Sequence, residues 1–95
     1  LQIGTWGDFS FTTSSGDPVV RWVYIHQGDN GRTIHITALN TRSGGFRLRF
    51  REARKMPWGF DPVGLPTNYG GSFRTIEHAK KMGVKLAPLF QAAKN

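Results

Sequence analysis

Apolar and polar residues alternate with a period of two in three segments of the first half of the chain. These segments, 19–27, 32–40 and 46–54, are rich in β-branched and aromatic residues, which is typical of strands with one buried face. Between them lie "GDNG" at 28–31 and "TRSGG" at 41–45, which favour turns because glycine and asparagine readily adopt positive φ angles. The pattern therefore predicts three consecutive antiparallel strands.

Pairing these strands assigns each side chain to one of two faces. We set Gln27 opposite Arg32 across the first turn and Ala38 opposite Phe46 across the second. One face is then apolar and carries Val23, Ile25, Ile34, Ile36, Ala38, Phe46, Leu48 and Phe50. The other face carries three rows, each with a ring on the first strand and an arginine on the third: Trp22–Thr37–Arg47, Tyr24–His35–Arg49 and His26–Thr33–Arg51.

The remaining segments follow different patterns. Residues 1–18 are expected to form an N-terminal strand or arm, interrupted at 4–8, and residues 56–71 an aromatic loop, since three prolines and four glycines disfavour a helix or a central strand there. A helix is predicted over 75–82, with Thr75 as its N-cap and Gly83 just past its end. A short final helix is predicted to start at Pro88.

These elements indicate one small α+β domain spanning residues 1–95. We expect an antiparallel sheet of three to four strands, with one helix packed on its apolar face and a short C-terminal helix. No apolar run reaches the ~20 residues that a membrane helix requires, no signal-peptide pattern opens the chain, and cysteine is absent. The expected location is therefore intracellular (cytoplasmic, nucleoid, nuclear or viral), without membrane association.

Charge is concentrated in one part of the chain. The formal net charge is +7, and residues 32–55 hold seven basic side chains against Glu52 alone. A basic block within a small folded domain favours a polyanionic partner, most often nucleic acid. The block coincides with the strand whose polar face carries Arg47, Arg49 and Arg51.

A sheet face that combines rings with guanidinium groups is suited to nucleic acid, because bases stack on rings and arginine neutralises phosphate. We therefore expect non-catalytic nucleic-acid binding, to single strands or with weak sequence selectivity. The candidate residues are Arg47, Arg49, Arg51, Trp22, Tyr24, His26, His35, Arg32, Arg42, Arg54, Lys55 and Trp58. The alternative is a small protein-binding module, an inhibitor or an assembly subunit, that uses the same face for a partner or a homodimer. The N-terminal segment or the 56–71 loop folding across this face is a third possibility.

The sequence gives little support for an enzyme, a cofactor or a metal site. The six acidic residues are scattered, whereas hydrolytic chemistry calls for paired carboxylates or a positioned base. His26 and His35 share the predicted polar face, but no neighbouring carboxylate completes a tetrahedral site. Neither "GTWGDF" nor "NYGGSF" has the spacing and lysine of a phosphate-binding loop. We expect no catalysis, no cofactor and no bound metal.

The segment "GGSFRTIEHAKK" leads from the sheet into the predicted helix. Its pattern Gly-Ser-Phe-x-Thr-x-Glu-x-Ala, at positions 71–79, resembles the junction in AP2-type and integrase-arm DNA-binding modules, which have a three-stranded antiparallel sheet followed by a helix. The resemblance covers about a dozen residues. It implies DNA recognition by sheet residues such as Arg47, Arg49 and Trp22. The long 56–71 segment departs from these modules, in which the third strand runs almost directly into the helix.

Overall fold

The computed structural model describes the backbone of residues 1–94, with the side chains of 1–29 and 31–90. The described residues form seven strands, a 3-10 turn at Asp29–Gly31 and a long helix. The strands are β1 (Gly7–Asp8), β2 (Phe11–Thr12), β3 (Pro18–Val19), β4 (Arg21–Gln27), β5 (Thr33–Asn40), β6 (Phe46–Met56) and β7 (Gly59–Asn68), and the helix is α1 (Ile76–Lys94).

Five of the strands form one antiparallel sheet in the order β1-β4-β5-β6-β7, and β2 pairs with β3 as a separate two-stranded sheet. The α+β class and the antiparallel sheet are confirmed. The sheet has five strands rather than the three to four expected, because the short N-terminal strand β1 pairs at one edge and β7 pairs at the other. Within the described residues, no helix is both long enough and apolar enough to cross a membrane.

Helix α1 packs on one face of the sheet, which we call the helix face. The buried core there combines Phe73 and the small residues Ala79 and Ala87 with sheet residues Ile34, Ile36, Ala38, Leu48 and Phe50. Thr75 caps the helix as predicted, since its Oγ1 accepts a hydrogen bond from the His78 amide at 3.1 Å.

The prediction of two helices separated at Gly83 is wrong, because α1 continues through both Gly83 and Pro88. Gly83 does not end the helix. It lies buried where α1 meets the sheet, and a Cβ atom at this position would stand 3.1 Å from Ile36 Cγ2 and 3.1 Å from Leu48 Cδ2. The missing side chain lets α1 approach β5 and β6 closely at this point. From the sequence alone, a glycine in this role looks the same as one that ends a helix.

The predicted pairing of β4 with β5 is wrong by one residue. Gln27 lies opposite Thr33 instead of Arg32, which places Trp22 opposite Ala38 and Tyr24 opposite Ile36. The cause is the connection, in which the Gly28 amide bonds to the Arg32 carbonyl at 2.7 Å and leaves a three-residue loop at 29–31. Because side chains alternate between faces, this one-residue difference moves every β4 side chain to the face opposite the predicted one.

The pairing of β5 with β6 preserves the predicted faces. Ala38 lies opposite Leu48 and Ile36 opposite Phe50, a shift of two residues from the expected pairs. A shift of two leaves the side chains on their original sides. Phe46, Leu48 and Phe50 therefore belong to the helix face, and the arginines between them project from the opposite face.

The predicted 56–71 loop is largely a strand. β7 pairs with β6 through most of its length, after a tight turn at Pro57–Trp58. Pro62 and Pro66 are accommodated because β7 is an edge strand, where a missing amide hydrogen leaves no neighbouring strand unpaired. The pairing is irregular at one point. Phe50 pairs with Thr67 and Glu52 pairs with Val63, so two residues along β6 correspond to four residues along β7.

Candidate functional site

A groove of about 650 Å³ lies on the sheet face opposite α1, which we call the arginine face. Strands β4 to β6 supply its floor, residues 1–19 line one side and the β6–β7 turn lines the other. The floor residues are Val23, His35, Thr37, Leu39, Arg49 and Arg51, with Arg21 beside them; the sides are Leu1, Phe9, Phe11 and Val19, and Trp58, Gly59, Phe60, Asp61 and Pro62.

The three β6 arginines project from this face as predicted. Arg47 is exposed, and Arg49 and Arg51 are half-buried in the groove. Arg49 Nε donates a hydrogen bond to Asn68 Oδ1 on β7 at 3.3 Å. Among the described side chains, Arg51 Nε is a buried nitrogen without a hydrogen-bond partner, and a buried donor on a charged group strongly favours an acceptor.

His35 lies directly opposite Arg51 in the β5–β6 pairing. The pKa of His35 is lowered to about 4, chiefly by burial and also by the positive charges of Arg51 and Arg21, whereas Asp61 acts in the opposite direction. The ring is therefore neutral near pH 7. Its Nδ1 lies 3.4 Å from Thr37 Oγ1, which links two neighbouring rows of the groove floor.

Exposed rings stand on both sides of the groove. On the N-terminal side, Phe9 and Phe11 remain 43% and 50% exposed, and on the hairpin side Trp58 is 71% exposed. Trp58 Nε1 donates to Asp61 Oδ1 at 3.0 Å, which holds the indole beside the turn. Large exposed rings thus border the groove on both sides.

Three predicted site residues are absent from this face. Trp22, Tyr24 and His26 lie opposite Ala38, Ile36 and Ile34, so they project toward α1 because of the β4 register. Trp22 lies under the Lys80 ammonium, and Tyr24 contacts the Trp6 ring with 5.2 Å between centroids. The pKa of His26 is lowered by burial, an effect that Asp29 opposes.

The other predicted basic residues are dispersed. Arg32 forms an ion pair with Glu52, and Arg42 is exposed in the β5–β6 turn. Arg54 lies opposite Asp61 and Lys55 opposite Phe60 in the β6–β7 hairpin. Lys55 lies four residues after Arg51 on the same strand, an even number that places both on the same side of β6. Its ammonium stands 4.9 Å from the centre of the Phe60 ring.

Several groove residues have no counterpart among the sequence candidates: Leu1, Phe9, Phe11, Val19, Arg21, Phe60 and Asp61. The period-two spacing of Phe9 and Phe11 was a signal that the N-terminal segment presents two rings on one side. The possibility that this segment lies across the second face is correct in part, since it flanks the groove and leaves the arginines accessible. Trp6 instead packs on the helix face.

The described side chains contain no group of three histidine, aspartate or glutamate residues placed to hold a metal ion. Comparisons with protein-family models, with curated proteins and with solved structures found no match to this chain.

Proposed function

We propose that this protein binds nucleic acid without catalysis, through the groove on the arginine face. The observation that carries the proposal is the combination of guanidinium groups along β6 with exposed rings on both sides of one groove. Phosphate neutralisation and base stacking require these two kinds of group within reach of one ligand. A face that only keeps a protein soluble has no need of rings.

The charges of the groove support an anionic ligand. In the described part of the chain, the ion pairs join Arg32 to Glu52 and Lys80 to Glu77, which leaves the β6 arginines Arg47, Arg49 and Arg51 without a carboxylate partner. Asp61 lines the groove as well, but the arginines outnumber it. A concave surface with an excess of one charge concentrates its field on an incoming ligand.

The "GGSFRTIEHAKK" junction gives an independent, weaker argument. Its resemblance to AP2-type and integrase-arm modules implies recognition by residues of the sheet, and Arg47 and Arg49 lie on the face opposite the helix. Trp22, which the resemblance also implicates, packs toward α1. The proposal therefore keeps the two arginines in that role and omits the tryptophan.

A protein partner is the second candidate function. Interfaces between proteins are enriched in aromatic residues and arginine, and the N-terminal side of the groove adds the exposed aliphatic side chain of Leu1 to Phe9 and Phe11. Such an interface depends chiefly on apolar burial, so its affinity changes little with salt. Nucleic-acid binding releases counterions, so its affinity falls steeply as salt rises.

The decisive experiment is a fluorescence-anisotropy titration with labelled single- and double-stranded oligonucleotides at several salt concentrations. For single strands we expect the logarithm of affinity to fall linearly with the logarithm of salt concentration, with a slope of about −0.7 for each phosphate contacted. Arg49→Gln and Arg51→Gln should each weaken binding and reduce the slope by about 0.7.

The matched control is Lys85→Gln, which removes the same charge from an exposed position on α1, across the sheet from the groove. It should leave the slope nearly unchanged. An equal effect of the control and the two arginine variants would contradict a site in the groove. Absence of oligonucleotide binding at low salt would exclude the proposed function, and sizing of the free protein then tests for a homodimer.

A further inference from the structure

The floor of the groove is asymmetric from one side to the other. The row Arg49–Thr37–Val23 crosses the floor from β6 to β4. In the next row, Arg51–His35–Ile25, the first two residues line the groove and Ile25 lies fully buried beside them. In both, the β6 residue is cationic, the β5 residue is polar and the β4 residue is buried and apolar. The floor therefore has a cationic side along β6 and an apolar side along β4, and exposed rings border the groove beyond each of them.

The N-terminal segment extends the apolar side. Phe11 pairs with Val19 in the small β2–β3 sheet, and both line the groove together with Leu1 and Phe9. Arg21, the cation on this side, stands 5.8 Å from the centre of the Phe11 ring and so lies beside an aromatic surface. Half-exposed phenylalanine rings offer faces on which bases stack irrespective of sequence.

The cationic side has a regular spacing. Alternate residues of a strand lie about 6.8 Å apart, so Arg47, Arg49 and Arg51 present charges at intervals suited to successive phosphates of an extended strand. Arg51, half-buried in the groove, stands at one end of this line. A phosphate oxygen is the acceptor that a guanidinium group binds most effectively.

A single strand matches both sides at the same time, whereas a duplex does not. A duplex stacks its bases on one another and exposes phosphates on its outer surface, so its base faces cannot reach Phe9 or Phe11. The groove is also bounded on both sides, by residues 1–19 and by the β6–β7 turn, which opposes insertion of the sheet into a duplex groove.

We infer that the groove holds a single strand of nucleic acid in one orientation, with its bases against Phe9 and Phe11. Its phosphates lie along Arg49 and Arg51, which line the groove, and continue to Arg47, which is exposed beyond it. The inference rests on the proposed function and adds to it the strandedness of the ligand and the placement of its two chemical parts. The polar residues Thr37 and His35 then lie between phosphates and bases, beside the sugars.

The test compares two single-stranded probes of equal length, oligodeoxythymidylate and an oligomer whose sugars carry no bases. Both present the same phosphates, and the second lacks the stacking groups. We expect wild-type protein to bind the baseless oligomer at least about fivefold more weakly. Phe11→Ala should weaken oligodeoxythymidylate binding by about fivefold or more and leave binding of the baseless oligomer within twofold.

Arg49→Gln should weaken the binding of both probes by the same factor, because both carry phosphates. Phe9→Ala repeats the test of Phe11→Ala at a second ring, so that poor folding of one variant still leaves a measurement. Leu65→Ala is the control, since Leu65 is 88% exposed and outside the groove, and it should change neither affinity. A duplex of the same length should bind at least about fivefold more weakly than oligodeoxythymidylate.

The orientation would be overturned if Phe11→Ala and Phe9→Ala weakened both probes equally, or if they weakened neither. Equal wild-type affinity for the two probes would overturn the stacking of bases, and duplex binding as tight as single-strand binding would overturn the strandedness. In each of these cases nucleic-acid binding itself survives. Failure of all probes to bind at low salt contradicts the proposed function instead.

Discussion

The ammonium group of Lys80 on α1 lies 4.0 Å from the centre of the Trp22 ring on β4. The same ammonium is 5.9 Å from the centre of the Trp6 ring, so the lysine joins the helix, the sheet and the N-terminal segment. A cation over an indole face is stabilising, more so where water is partly excluded. Trp22 thus belongs to the packing between sheet and helix.

Trp22→Ala should therefore destabilise the protein without changing the binding site. We expect the free energy of unfolding to fall by about 2–4 kcal/mol, because a large, partly buried ring is lost together with its contact to Lys80. The affinity of the folded protein for single strands should stay within twofold. Urea unfolding followed by circular dichroism measures the loss of stability. Fluorescence anisotropy at low temperature, without denaturant, measures the affinity of the folded protein.

Trp58→Ala is the matched control, because Trp58 is 71% exposed at the groove. Its loss should change the free energy of unfolding by less than about 0.5 kcal/mol and should weaken binding. The opposite pattern, with Trp22→Ala reducing affinity at unchanged stability, would mean that Trp22 contacts the ligand.

The pattern of β4 predicts the wrong face for Trp22 for a definite physical reason. Both sides of β4 are apolar enough to be buried, since Val23 and Ile25 alternate with Trp22 and Tyr24. The alternation therefore does not determine whether Trp22 and Tyr24 or Val23 and Ile25 face the helix. The face of each β4 side chain depends instead on the length of the loop between β4 and β5, where a difference of one residue reverses it. On β6, arginine and apolar side chains alternate, so the faces of that strand were predicted correctly despite a shifted register.

The low pKa of His35 makes stability depend on pH. Burial lowers the pKa in the folded state to about 4, with Arg51 and Arg21 acting in the same direction and Asp61 against them. The unfolded chain has the ordinary value of about 6.5 and so binds more protons between these two values. The free energy of unfolding should consequently fall as pH decreases from about 6.5 toward 4.

We expect His35 to contribute about 1 kcal/mol to the difference between pH 7 and pH 5, after allowance for its partial exposure. Urea titrations at the two pH values measure this difference. His35→Gln should reduce the difference, although the lowered pKa of His26 leaves part of it in place. His78→Gln, at an exposed position on α1, is the control. A pH dependence identical in wild type and His35→Gln would contradict the assignment.

Gly83→Ala should destabilise the protein even though alanine favours a helix over glycine by about 1 kcal/mol. The new methyl group would lie 3.1 Å from both Ile36 Cγ2 and Leu48 Cδ2, and crowding of a packed core costs about 1–3 kcal/mol. We expect a net loss of about 1 kcal/mol in the free energy of unfolding.

Gly70→Ala provides the comparison for Gly83→Ala. A Cβ atom at Gly70 would meet nothing within 4 Å, so we expect no loss of stability and a small gain from the less flexible unfolded chain. Thermal or urea unfolding of both variants measures the two changes in the free energy of unfolding. A stabilising Gly83→Ala substitution would show that α1 can move away from β5 and β6 at little cost.

The segment at 56–71 shows another limit of prediction from sequence. Its prolines and glycines correctly excluded a helix and a central strand, but those residues are tolerated at the edge of a sheet. Whether such a segment forms a strand depends on the length of the strand beside it. β6 continues to Met56, although its pairing with β5 ends at Glu52, so it offers a long edge to β7. The groove could not be deduced without this hairpin and the N-terminal segment, because its two sides come from them.

The cap of α1 allows a test of the local structure that the sequence did predict. Thr75 Oγ1 accepts a hydrogen bond from the His78 amide at 3.1 Å, which satisfies one of the free donors in the first helical turn. Thr75→Ala should lower the free energy of unfolding by about 1 kcal/mol, whereas Thr75→Ser, which keeps the hydroxyl group, should restore most of it. Urea unfolding of the three proteins measures the difference. Equal losses for alanine and serine would show that the methyl group of Thr75, not its hydroxyl group, stabilises the start of the helix.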